Sequence, residues 1–189
     1  MSIAVAVKKA DQLVIAADTQ DVFGNNKVSF DNYTSKKIMR AGDSYLATSG
    51  WGLYEDILED YLTTQDGLAL NTRPLIFSFF MTFWKELHER YNFVKDQPED
   101  DEDSSPFGDL DSTFLIVNPA GIFYVSSNMS VTRFEKYFAI GSGSHFSLGS
   151  MHALYDLDLS AEEIARKAVE SAITFSIYCG GSVDLFHVT

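Results

Sequence analysis

Four places in this chain set a polar or conformationally free residue where an apolar run begins or ends. Asp18 closes "VIAAD" and Lys37 opens "KKIM". "TSGWG" (Thr48 to Gly52) follows "YLA", and "GSGS" (Gly141 to Ser144) follows "FAI". Taken alone, Asp18 is more often a turn or cap residue and Lys37 more often a surface lysine. The two glycine-rich turns each precede a helical pattern. Glycines there can leave backbone N–H groups open at a helix N-terminus, which suits a developing oxyanion. They also serve as plain tight turns.

Other chemistries find no support. The four His residues are scattered without metal-ligand spacing, and the single cysteine, Cys179, excludes an internal disulfide framework and a Cys-based zinc site. No metal or cofactor is expected. "GSGS" lacks the Gly-Lys-Ser/Thr that ends a phosphate loop. There is no G-x-S-x-G elbow for a conventional serine-hydrolase triad. Cys179 has no His or Asn partner nearby in sequence and reads as structural.

The elements that must position these residues follow from periodicity. "SIAVAVKK" and "QLVIAAD" are apolar runs around "KKAD", a hairpin signal. "KKIMRAGDSYLATSG" repeats that pattern. From Trp51 to Thr64, Leu53, Ile57, Leu58, Tyr61 and Leu62 recur at helical spacing. A longer helix is predicted over 73–93, with Pro74 in its first turn and a stretch, "LIFSFFMTFWKEL", apolar almost all round. Such a helix is expected to be buried on every side and to favour oligomerisation. "KDQPEDDEDSSPFGD" (Lys95 to Asp109) reads as a solvated acidic loop without the spacing of a calcium loop. "STFLIVNPAGIFYVSS" is a hairpin turning at "NPAG", and "RFEKYFAIGSGS" is a strand leading to a helix over 144–156. Ser160 and Glu163 form a capping-box pattern ahead of an inner face of Ile164, Ala168 and Ala172. "GGSVDLFHVT" supplies a last strand through Val183, Leu185 and Val188.

Strands and helices thus come in blocks, which argues for α+β layers and against a doubly wound parallel sheet. Two face-to-face sheets, each with a helix pair outside, would bury these segments in a single domain spanning 1–189. The composition fits: 189 residues, 46% hydrophobic, with 15 Phe and 9 Tyr. The net charge of −13 argues against nucleic acid or an anionic membrane as partner. No apolar run reaches spanning length, and "IAVAV" followed by "KKADQ" is too short for a secretory leader. A cytoplasmic location is the expectation.

In combination these features resemble the proteasome β-subunit family. They include a strand starting at a hydroxyl residue, "IAAD", a Gly24–Asn25 turn, "KKI", "SGWG" before a helix, "IGSGS" before a helix and "IYCGG" before the last strand. The chain is similar to the bacterial branch that includes HslV. It looks closest to bacterial proteasome homologues with an acidic "DED-x-x-PF" loop (Asp101 to Phe107) and an "NP-x-GIF" hairpin (Asn118 to Phe123). The resemblance covers essentially the whole chain. It implies a four-layer αββα sandwich of the N-terminal-nucleophile hydrolase type. It further implies homo-oligomeric rings that cleave unfolded polypeptide in a chamber, with room for an unfoldase ATPase as partner. Residue by residue, it implies Ser2 as nucleophile with its own α-amino group as base, Lys37 as the nearby positive charge and Asp18 as that lysine's partner. Gly50 N–H would face the oxyanion, Ser142 would sit beside the amino terminus, and Thr48 would line the pocket for the residue before the cut.

The sequence departs from the family in ways that bear on activity. The usual nucleophile is threonine; serine keeps the hydroxyl but lacks the methyl that stiffens the rotamer. The register has two counts. From "IAAD" backwards, Ser2 falls on the nucleophile position; from "IAVAVK" forwards, Met1 does. The first is favoured, because an extra turn residue is easier to accommodate than a lost catalytic group. A retained Met1 would cap Ser2 and leave a catalytically inactive structural member of the same ring. The aspartate that many proteasomes carry near the amino terminus is Ser176 here, as it is absent from HslV-type members. An amidase acting on small amides is a third reading, disfavoured by the full-length resemblance.

Overall fold

The computed structural model describes residues 2–24, 26, 28–65, 67–91 and 110–189. Met1, Asn25 and the acidic segment from Lys95 to Asp109 lie outside the described residues, so the readings placed on them lie outside as well.

Among the described residues, nine strands and four α-helices follow in the order β1 (Ile3–Lys9), β2 (Gln12–Asp18), β3 (Ile38–Ala41), β4 (Ser44–Gly50), α1 (Leu53–Thr63), α2 (Arg73–Arg90), β5 (Ser112–Asn118), β6 (Gly121–Val125), β7 (Val131–Phe134), β8 (Tyr137–Gly141), α3 (Ser144–Leu154), α4 (Ala161–Phe175) and β9 (Val183–His187). A 3-10 turn, Phe30–Asn32, lies in the connection from β2 to β3. The strands form two antiparallel sheets, ordered β8-β1-β2-β9 and β3-β4-β5-β6-β7.

Strand periodicity divides the interior. Successive side chains point to opposite faces of a sheet. In β1, Ile3, Val5 and Val7 pack with Ala165, Ala168 and Ala172 of α4 and Met151 of α3. The alternate residues Ala4 and Ala6 meet Leu115, Val117 and Ile122 of the other sheet. In β5, Phe114 and Ile116 face α1 and α2 through Ile57, Phe80 and Phe83. Three apolar layers therefore separate four layers of secondary structure: α3 and α4, the first sheet, the second sheet, and α1 and α2. This is the four-layer αββα sandwich. Small residues at the sheet-to-sheet contact (Ala4, Ala6, Ala17, Ala47) let the two sheets approach closely.

Local signals set the helix ends. The Ser160–Glu163 capping box is formed in full at the start of α4. Thr72 caps α2, its side chain accepting from Leu75 N–H, with Pro74 in the first turn. One expectation is corrected. Helix α2 is not buried all round: Ile76, Phe79, Phe80, Phe83 and Leu87 form its inner face, while Leu75, Phe77 and Met81 are exposed. Its apolar residues outnumber the positions that one sheet can cover.

Candidate active site

The β1–β2 hairpin turns on Ala10 and Asp11, with Lys9 paired to Gln12 and Ala4 to Ala17. Ala10 takes φ +51°, the left-handed conformation that so tight a turn requires. The pairing runs without a bulge to the end of the strand. One step beyond the Ala4–Ala17 pair, Ile3 N–H donates to the Asp18 carboxylate at 3.0 Å. Register thus sets Ser2 immediately past Asp18, where it is buried.

Asp18 is buried, and its carboxylate collects three donors. Oδ1 accepts from Ile3 N–H and from Lys37 Nζ, the latter at 2.7 Å, and Oδ2 accepts from Gly180 N–H at 2.9 Å. Lys37 is buried too and also donates to Gln20 C=O at 2.5 Å. A buried ion pair persists when further hydrogen bonds supplement it; here Asp18 accepts two more and Lys37 donates one more. Asp18 therefore ties together the start of β1, the residue leading into β3 and the turn before β9.

Lys37 precedes Ile38, which pairs with Ala47, so Lys37 falls level with Thr48 on β4. Two residues on, Gly50 ends β4 opposite Ser112. A Cβ at position 50 would collide with Ser112 Oγ and lie 2.6 Å from Asp111 C=O, so this strand end accepts only glycine. Thr48 is buried and donates from Oγ1 to Glu55 Oε1 at 3.4 Å, linking the strand end to the first turn of α1.

On the opposite side, Gly141 pairs with Ile3 and takes φ +103°, and a Cβ there would run into Ser2 C=O. That close approach lets Ser142 Oγ donate to Ser2 C=O at 3.3 Å. Ser142 thus bonds Ser2 directly, while the Lys37–Asp18 pair reaches the neighbouring residue through Ile3 N–H. Thr48 and Gly50 stand on the adjoining strand end, where Thr48 bonds Glu55.

Two residues join the site that sequence reasoning did not place there. Cys179, read as structural, borders it: its Sγ lies 4.0 Å from Ser142 Oγ. Burial pushes its thiol above the ordinary range, outweighing hydrogen bonds from Ser176 and Ser142. Glu55 reads in sequence as an ordinary acidic residue favoured in a first helical turn. In the fold, burial pushes its carboxyl above the usual carboxylate range. Lys37 and the Thr48 hydrogen bond pull it down, and the Asp21 charge adds to the rise. Nothing in "GLYEDI" marks that role. Among the described residues no group of three or more His, Cys, Asp or Glu is arranged to hold a metal ion.

No family model matches the chain. It is similar over its full length to Thiobacillus denitrificans BPH, solved in complex with epoxomicin. The two are 33% identical with a TM-score of 0.88, and the match covers 99% of each chain. It is 25% identical to the ATP-dependent protease subunit HslV of Caldicellulosiruptor saccharolyticus, over 97% of this chain and 96% of that protein. It is 23% identical to a proteasome subunit beta of Nanoarchaeum equitans, over 100% of this chain and 93% of that protein. The antiparallel sandwich and these full-length similarities agree, and the chain belongs to the proteasome β-subunit/HslV family.

Proposed function

We propose that this chain is a peptidase subunit whose nucleophile is the Ser2 hydroxyl, acting once Ser2 is the first residue of the mature chain. The observation that carries this reading is the buried Lys37–Asp18 pair, 2.7 Å long, anchored through Ile3 N–H directly beside Ser2.

In this mechanism the freed α-amino group is the general base. Its reference pKa of about 7.7–8.0 suits proton transfer near neutrality. Ser2 Oγ attacks the scissile carbonyl carbon and passes its proton to that amine. The Lys37 ammonium stabilises negative charge building on Oγ, and Asp18 holds the ammonium in place. Gly50 N–H donates to the oxyanion of the tetrahedral intermediate. The C–N bond then breaks, the leaving amine takes the proton from the α-amino group, and an ester remains on Ser2. Water, deprotonated by the same amine, attacks the ester; the product acid leaves and Ser2 regains its proton. Ser142, bonded to Ser2 C=O, fixes the backbone from which both Oγ and the amine project. Thr48 lines the pocket for the residue before the cut.

The substrate class is unfolded polypeptide, processed inside homo-oligomeric rings in the cytoplasm. Exposed apolar side chains on α2 (Leu75, Phe77, Met81) and around the ends of α3 and α4 (Phe146, Phe175, Ile177) support burial against further copies. The similarity to a subunit named ATP-dependent supports an unfoldase ATPase as partner. No helix among the described residues is long and apolar enough to cross a membrane.

The test compares hydrolysis of fluorogenic peptides by the native chain, Ser2→Ala and Lys37→Ala, with the mature amino terminus read by intact mass. Hydrolysis by a chain beginning at Ser2, lost in both variants, supports the proposal. Activity surviving both substitutions sinks it. A retained Met1 with no hydrolysis and intact rings makes this the structural member of the family instead.

A further inference from the structure

We infer that Glu55 makes the pocket before the cut selective for lysine or arginine; this rests on the peptidase reading above. Thr48 and Gly50 are two residues apart on β4 and share a face, so they stand roughly 7 Å apart. A substrate carbonyl held at Gly50 N–H places the preceding side chain toward Thr48. Thr48 Oγ1 is bonded to Glu55 Oε1 at 3.4 Å, so a side chain passing Thr48 meets the Glu55 carboxyl. A lysine or arginine stem is long enough to span that depth and ends in a cation.

Charge decides between the side chains that would fit. Lys37 is committed to Asp18 at 2.7 Å, and that pair is neutral overall. Glu55 feels the charges of both Lys37 and Asp21. Among the described residues neither carboxylate is in a salt bridge of its own. The surroundings of Thr48 therefore carry an excess of negative charge in a partly desolvated setting, where attraction for a cation exceeds that at the surface. Burial, with a smaller contribution from the Asp21 charge, penalises an ionised Glu55, and an incoming ammonium or guanidinium relieves that penalty. An acidic side chain before the cut meets repulsion, and an aliphatic one desolvates the carboxyl further while adding no cation.

The test uses the assembled full-length protein and four fluorogenic peptides that differ only in the residue before the cut: Arg, Lys, Leu or Asp. The native protein should cleave the Arg and Lys peptides with kcat/KM at least about tenfold above Leu, with Asp lowest. Glu55→Gln should lower the Arg-to-Leu ratio about tenfold, mainly through KM for the Arg peptide. Glu55→Asp should retain part of the preference, and Glu55→Lys should move it toward the Asp peptide. Circular dichroism and native mass confirm folding and assembly of each variant. If native protein cleaves Leu as well as Arg, or Glu55→Gln leaves the ratio unchanged, while Ser2→Ala abolishes all hydrolysis, the selectivity falls and the peptidase reading stands. If Ser2→Ala leaves hydrolysis intact, both fall.

Discussion

Asp18 and Lys37 meet at 2.7 Å although Asp18 ends β2 of one sheet and Lys37 leads into β3 of the other. The pair is a cross-link between the two inner layers at the edge where Ser2 lies. Its members come from segments 19 residues apart, and the same carboxylate also holds the turn at Gly180. Breaking either partner leaves an uncompensated buried charge, which costs about 3–5 kcal/mol. Asp18→Asn and Lys37→Met should each lower unfolding free energy by about that amount in urea titrations. The double variant should fall short of the sum by about 0.5–3 kcal/mol, because its second substitution removes a charge already stranded. Strict additivity would show that the two side chains do not depend on each other.

Gly50 is predicted to resist any side chain. In Gly50→Ala the new methyl collides with Ser112 Oγ and lies 2.6 Å from Asp111 C=O, so the strand end must move. A displacement of about 1 Å at an oxyanion donor costs roughly 100-fold in rate. Peptide hydrolysis should fall by about that factor, with a stability loss of about 1–3 kcal/mol. Gly50→Ala/Ser112→Ala should recover only part of the activity, since the carbonyl of Asp111 remains. Full activity in Gly50→Ala would remove Gly50 from the oxyanion role.

Much of this was legible in the sequence, for identifiable reasons. The period-2 stripes of "IAVAV" and "STFLIV", the capping box at Ser160 and the hairpin at "KKAD" are local signals that the tertiary structure reinforces. Asp18, Lys37 and the "GSGS" turn were visible because each sits where a strand ends. What could not be read was side-chain convergence across elements. Cys179 approaches Ser142 only because α3 and α4 pack on the same sheet. Glu55 faces Thr48 only because α1 folds back on β4. The one-residue ambiguity at Ser2 depended on the hairpin turn, and the two-residue turn at Ala10 and Asp11 fixes the pairing.

Glu55 gives the site a stability signature with pH. Its carboxyl is raised in the fold, chiefly by burial, so the native state holds its proton to higher pH than the unfolded chain does. The stabilisation linked to that proton is complete below the unfolded value, near pH 4.3, and is lost as pH rises through the folded one. Glu55→Gln does not titrate. Its thermal midpoint should therefore exceed that of the native protein at about pH 8, with the gap closing toward about pH 4. A gap that widens on acidification would reverse the assignment.

Cys179 should be inert while the chain is folded. Its thiol is buried and pushed above its ordinary value, and the thiolate is the reactive form. Alkylation by iodoacetamide near neutral pH should be at least about tenfold slower in the native protein than in denaturant. Equal rates would mean that the turn bearing Cys179 and Gly180 opens readily, and with it one anchor of Asp18.

In the proposed mechanism Ser2 supplies both the hydroxyl and the amine. A peptide epoxyketone tests it directly, because its adjacent ketone and epoxide carbons can be attacked by one residue carrying both groups. Incubation followed by intact-mass and fragment analysis should find one adduct per subunit, on an amino-terminal Ser2, absent from Ser2→Ala. An adduct on any other residue, or none on a folded, assembled chain that begins at Ser2, would contradict the account.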